Sequence, residues 1–92
     1  MQFEWDQRKA TANTRKHGVA FTDAITVFFD PLARIFPDPD QSEVEERELI
    51  VGYDSTAPLL YISFVERHGN VRIISTRRAT AREASNHERH LK

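Results

Sequence analysis

Leu59-Leu60-Tyr61-Ile62-Ser63-Phe64-Val65-Glu66-Arg67, then His68-Gly69-Asn70, then Val71-Arg72-Ile73-Ile74-Ser75-Thr76-Arg77-Arg78-Ala79 is the stretch that decides the fold. The first run is nearly continuously apolar, as a central strand can be. The second sets β-branched residues around an arginine. The break between them is short and holds a glycine, so the two runs read as a β-hairpin. Either two-residue turn, His68-Gly69 or Gly69-Asn70, makes residues of opposite parity share a sheet face. Arg67, Arg72, Tyr61, Ser63, Val65, Ile74 and Thr76 then fall on one face. Leu60, Ile62, Phe64, Val71 and Ile73 fall on the other, which must be the core. A three-residue turn would break this arrangement.

An arginine among isoleucines is costly to place unless it is paired or faces an anion. Arg72 is therefore either a salt-bridged arginine at a sheet edge or part of a phosphate-facing surface. The basic residues that recur around it favour the second reading.

Outward from the hairpin, Glu46 to Tyr53 partly alternates and reads as another strand, with Leu32 to Phe36 a short edge strand. Pro37 to Glu43 has the composition of a solvated loop. The acidic run Glu43 to Glu48 contains no histidine and reads as a solvated edge rather than a metal site. At the start, Phe3-Glu4-Trp5 is a short strand, and Gln7 to His17 is a mostly polar helix between an Asp6 N-cap and Gly18. Thr22 is expected to cap a second helix, whose apolar face is Ala24, Ile25, Val27, Phe28 and Phe29, stopped by Asp30-Pro31. Thr80-Ala81-Arg82-Glu83 is a capping-box pattern that opens a polar C-terminal helix running to the chain's end. The order strand, two helices, strands, helix predicts one α+β domain over residues 1–92, with helices segregated from an antiparallel sheet.

The 92 residues include no cysteine, so neither a disulfide nor a cysteine-based zinc site can form. No apolar run is long enough for a membrane helix, and the N-terminus lacks signal-peptide features, so a cytoplasmic protein is expected. Net charge is −1, but residues 1–20 carry +2, residues 21–60 carry −7 and residues 61–92 carry +4. If the two ends meet, the molecule has one basic surface despite its overall balance.

Two arginines beside Tyr61 suit RNA, which needs guanidinium groups for phosphate and an aromatic platform for a base. A solvent-facing sheet would look the same. His17, after Lys16 at a helix end, is either a capping cation or a proton-transfer group. His68 is most simply a turn residue. His87 and His90 lie three apart on the last helix, but with no cysteine or placed carboxylate no metal site and no cofactor are expected. Glycine-rich phosphate loops, nucleophile elbows and paired-carboxylate motifs are absent from the sequence.

Phe3-Glu4-Trp5-Asp6, Lys9, Asn13, Lys16-His17-Gly18-Val19, Phe21, Ala24, Val27-Phe28 and Asp30-Pro31 together resemble the opening of the BrnT family of bacterial toxins. Arg47 with Val51-Gly52, Arg72-Ile73-Ile74-Ser75 with Arg77-Arg78-Ala79, and Arg82-Glu83 extend the resemblance over nearly the whole chain. Thr76 stands where the family usually has alanine, and Asn86-His87-Glu88-Arg89-His90 replaces its usual tyrosine-glutamate ending.

The resemblance implies a RelE-like fold and an endoribonuclease of a type II toxin–antitoxin system that stops translation. It implies a BrnA-like antitoxin with a ribbon-helix-helix part, and contact with operator DNA only through that complex. Under this reading RNA is cut without metal by its own 2′-hydroxyl. Arg72 and Arg67 would hold the phosphorane, His17 would transfer a proton, and Lys16, Tyr61 and Arg77 would bind RNA. The alternative is a noncatalytic binding module that partners a DNA-binding regulator.

Overall fold

The computed structural model describes residues 1–38, 46–56 and 58–90. In chain order the elements are β1 (Gln2–Glu4), α1 (Gln7–His17), α2 (Phe21–Val27), β2 (Arg34–Pro37), β3 (Glu48–Tyr53), β4 (Leu59–Arg67), β5 (Asn70–Arg78) and α3 (Ala81–His90). The strands form a five-stranded sheet in the order β1-β5-β4-β3-β2. β2, β3, β4 and β5 are antiparallel neighbours, and β1 adds parallel to β5. The α+β class is as expected, with the parallel β1 pairing as an addition. Of the loop expected over 37–43 and the acidic run over 43–48, positions 39–45 lie outside the described residues.

The hairpin turn has two residues, with Arg67 opposite Asn70. His68 and Gly69 both take positive φ, 51° and 82°, as a type I′ turn requires. Opposite-parity pairing holds as far as Phe64↔Ile73, and then the register shifts so that Ser63 faces Ser75. Ile74 is the extra residue of a β-bulge, and every later side chain of β5 changes face. Thr76 therefore lies opposite Ile62 on the core face, 1 % exposed, and not on the arginine face where unbroken alternation puts it. The same shift carries Arg77 across to lie opposite Tyr61.

Leu60, Ile62, Phe64, Val71 and Ile73 are buried, as their parity requires, beneath Ala10 of α1 and Phe21, Ala24 and Val27 of α2. Phe28 bridges this layer, meeting Phe3 and Phe64 edge-on with ring centroids 5.1 Å apart in both cases. α2 differs from expectation at both ends. It starts at Phe21 after Ala20, which makes no side-chain cap bond, and it ends at Val27, leaving Phe29 72 % exposed. The Thr22 cap fails because burying Phe21 draws that residue into the first turn. α3 lies over the other sheet face, where its one buried residue, His87, meets the Tyr53 ring.

Candidate functional site

α1 is placed by its ends and by one buried amide. The Asp6 carboxylate accepts from the Arg8 N–H (2.8 Å) and the Lys9 N–H (3.4 Å), and Gly18 closes the helix at φ 71°. The last β1–β5 pair is Glu4↔Arg72, so among the described residues the outer edge of β5 has no strand partner at Thr76. Asn13 takes that place. Its Nδ2 donates to the Thr76 carbonyl (2.8 Å) and its Oδ1 accepts from the Thr76 N–H (3.1 Å). Nδ2 also reaches the Val19 carbonyl at 3.3 Å, which fixes the chain leaving the helix. The last turn of α1, carrying Arg15, Lys16 and His17, is thereby held beside β5.

His17 lines a cleft of about 440 Å³ with Asp38, Arg47, Leu49, Tyr61, Ser63, Ser75, Thr76, Arg77 and Glu83. Arg77 stacks on the Tyr61 ring, its guanidinium carbon 4.6 Å from the centroid. Its Nη1 and Nη2 donate to the two Glu83 oxygens at 2.8 and 3.0 Å. The Arg77 bond is the main reason the Glu83 carboxyl is pulled down to about 2. The Arg77 guanidinium is raised in turn, chiefly by that hydrogen bond. Burial, and then the Glu83 charge, raise the Tyr61 phenol against the opposing pull of Arg77. The phenol is thus protonated at neutral pH and can donate. Glu83 also closes the expected capping box, since its Oε1 accepts from the Thr80 N–H and its own N–H donates to the Thr80 hydroxyl.

Asp38 is buried, although the sequence places it in a solvated loop. The Ser63 hydroxyl donates to its Oδ2 at 2.8 Å, and its N–H donates to the Arg47 carbonyl at 3.0 Å.

The cleft gathers three of the six residues singled out in the sequence, His17, Tyr61 and Arg77. Lys16 is exposed and does not line it. Arg67 and Arg72 share the Tyr61 face of the hairpin, as the parity reading requires, but they lie towards its turn. Arg72 is opposite Val65, four residues along β4 from Tyr61, or about 13 Å at the usual strand rise. Arg72 has an ion-pair partner at 3.6 Å in Glu4 of the edge strand β1, so the salt-bridged reading of this arginine holds in the structure. Arg47, Asp38 and Glu83 also line the cleft, beyond the six residues that the sequence singles out. Glu83 carries a signal only for its capping role, and Asp38 carries none. Among the described residues no three His, Asp or Glu side chains come close enough to share a metal ion. The His90 ring bonds the Asn86 carbonyl at 2.8 Å, and His87 is buried with its Nε2 unpartnered.

No helix among the described residues is long and apolar enough to cross a membrane. No curated protein matches the chain. The crystal structure of the Brucella abortus ribonuclease toxin BrnT superposes with a TM-score of 0.69 at 24 % identity, covering 87 % of this chain and 97 % of that one, a likeness of fold. The family model described as the ribonuclease toxin BrnT of type II toxin–antitoxin systems matches residues 5–83. With most of its length matched, the chain belongs to the BrnT family of type II ribonuclease toxins.

Proposed function

We propose that the cleft is the cleavage site, and that it cuts RNA without metal through attack of the 2′-hydroxyl on the neighbouring phosphate. The observation that carries this reading is the convergence of His17, Tyr61 and Arg77 in one cleft. The reaction needs a base for the 2′-hydroxyl, an acid for the departing 5′-oxygen, and positive charge on the phosphorane. His17 serves as the proton-transfer group. Arg77 grips the phosphorane oxygens, and the Tyr61 hydroxyl donates beside it. One face of the Tyr61 ring carries Arg77, so the ring acts first as the support of that cation. Arg67, Arg72 and Lys16 bind the flanking strand, with Arg72 and Arg67 acting on neighbouring phosphates rather than on the scissile one. Their distance along β4 supports this division of roles.

Cleavage of cellular RNA in the cytoplasm stops translation, and a BrnA-type antitoxin with a ribbon-helix-helix part silences the toxin by covering the basic face with acidic and apolar groups. Operator DNA is reached only through that complex.

The test is incubation of the purified chain, free of partner, with RNA and EDTA. The products should carry a 2′,3′-cyclic phosphate and a 5′-hydroxyl, and the rate should be unchanged by EDTA. A strand with 2′-deoxyribose at the cut site should survive. Cleavage of that strand, or abolition by EDTA, would end this chemistry. No cleavage of any RNA by folded protein would instead favour the noncatalytic module.

A further inference from the structure

We propose that Glu83 is a positioning residue, whose carboxylate clamps one end of the Arg77 guanidinium so that the opposite edge is presented to the scissile phosphate. The inference rests on the reading of the cleft as the cleavage site. Stacking on Tyr61 fixes the plane of the guanidinium but leaves it free to turn within that plane. The two-point bond to Glu83 removes this freedom, because Oε1 and Oε2 take Nη1 and Nη2 separately. Nη1 also reaches the Arg78 carbonyl at 3.3 Å. These contacts occupy the Nη1 side and leave the edge formed by Nε–H and the second Nη2 hydrogen. That edge is itself a two-donor fork of the kind that matches a phosphate.

Capping alone does not account for the geometry. A helix cap needs one carboxylate oxygen, and Oε1 already serves the Thr80 N–H. Oε2 is given to Arg77. The capping box sets the first turn of α3, which in turn sets the carboxylate, so the site is held from the helix rather than from a loop. The arrangement has a cost that makes it testable. An ionised carboxylate in the cleft repels the RNA backbone, so its removal should ease binding while it loosens the arginine.

Single-turnover cleavage of a synthetic RNA that the wild-type chain cuts separates these effects. Glu83→Gln should lower the saturated rate about 10- to 100-fold, with half-saturation unchanged or at lower concentration. Glu83→Asp keeps the charge but shortens the reach, and should also lose rate. Thr80→Ala removes the hydroxyl half of the cap while sparing both Arg77 bonds, and should lose clearly less rate than Glu83→Gln, whereas a purely capping Glu83 predicts comparable losses in the two variants. Arg77→Ala should lose rate by itself, and adding Glu83→Gln to it should cost nothing more. A wild-type rate in Glu83→Gln, a faster one, or full additivity in the double variant would overturn the clamp. A wild-type rate in Arg77→Ala would instead overturn the assignment of the cleft, and the clamp with it.

Discussion

Asn13 directs its whole side chain outside its own helix. It satisfies both backbone groups of Thr76 on an edge that no strand covers, and the Val19 carbonyl besides. Asn13→Ala would leave the Thr76 N–H and carbonyl short of a partner, while the Val19 carbonyl keeps the Thr14 hydroxyl, for a loss of about 2–6 kcal/mol over the two groups. Asn13→Asp keeps the acceptor but loses both donors, so it should fail as well. Urea unfolding measures the loss, and an unchanged midpoint would mean that water replaces the amide. Cleavage should fall below the unfolding transition too, because the same amide holds the turn that carries His17. Gly52 is a second single-residue constraint. A Cβ there would stand 2.9 Å from the Ala33 Cβ and 2.9 Å from a Val27 methyl, and 3.0 Å from the Asp30 carboxylate. Gly52→Ala should destabilise by roughly 1–3 kcal/mol through overpacking, measured in the same experiment.

α3 is the element whose attachment depends most on titratable groups. Its one buried side chain is His87, flanked by Arg34, Asp30, Glu88 and His90, and its first turn is tied to the sheet by the Arg77–Glu83 bridge. Burial, then Arg34, lower the His87 pKa. The unfolded chain therefore takes up a proton near the ordinary value while the folded chain resists it. Stability is complete above about pH 6.5 and is lost as pH falls through the lowered value. Glu83, held at about 2, loses its contribution in a separate window as pH falls from about 4.5 towards 2. Melting temperature against pH should separate them: His87→Leu flattens the upper slope, and Glu83→Gln flattens the lower one. An unchanged upper slope in His87→Leu would show that another group carries it. The elements differ in how far the sequence reveals them. α1 and β4 were legible to the residue, since Asp6 and Gly18 punctuate one and a long apolar run defines the other. The start of α2 was not, because burial of Phe21 outweighed the better cap at Thr22. Nor was the bulge, for Ile74 carries no glycine or proline signal, yet that one extra residue brings Arg77 to Tyr61. The capping role of Glu83 was written locally, while its bond to Arg77 depends on a register that local patterns do not encode.

The whole molecule is nearly neutral, yet its two basic ends meet: α1 of the first segment lies against β5 of the last, and the acidic middle supplies β2 and β3. Under the proposed reading the attraction to RNA is local, running along one face from the cleft at Tyr61 and Arg77 towards Arg72 and Arg67 near the turn. Such a track makes a specific demand on salt dependence. Each phosphate neutralised on a single strand contributes about 0.7 to the slope of log K against log salt. The double variant Arg67→Ala, Arg72→Ala should bind RNA more weakly and lower that slope by about 1.4, if both contacts are made. At saturating enzyme its cleavage rate should match wild type, because the proposed site leaves Arg77 to meet the scissile phosphate. Arg77→Ala should show the reverse, a large loss of saturated rate with a smaller change in slope. Arg72 is already paired with Glu4, so its contact with phosphate requires exchange of one anion for another. Glu4→Gln should therefore strengthen RNA binding modestly and only while Arg72 is present. Fluorescence anisotropy across a salt series, with a non-cleavable 2′-deoxy substitution at the cut site, measures the affinities and slopes, and single-turnover cleavage of the all-ribose strand measures the rates. A saturated rate that collapses in Arg72→Ala alone would make Arg72, at the turn end of β5, the transition-state arginine in place of Arg77.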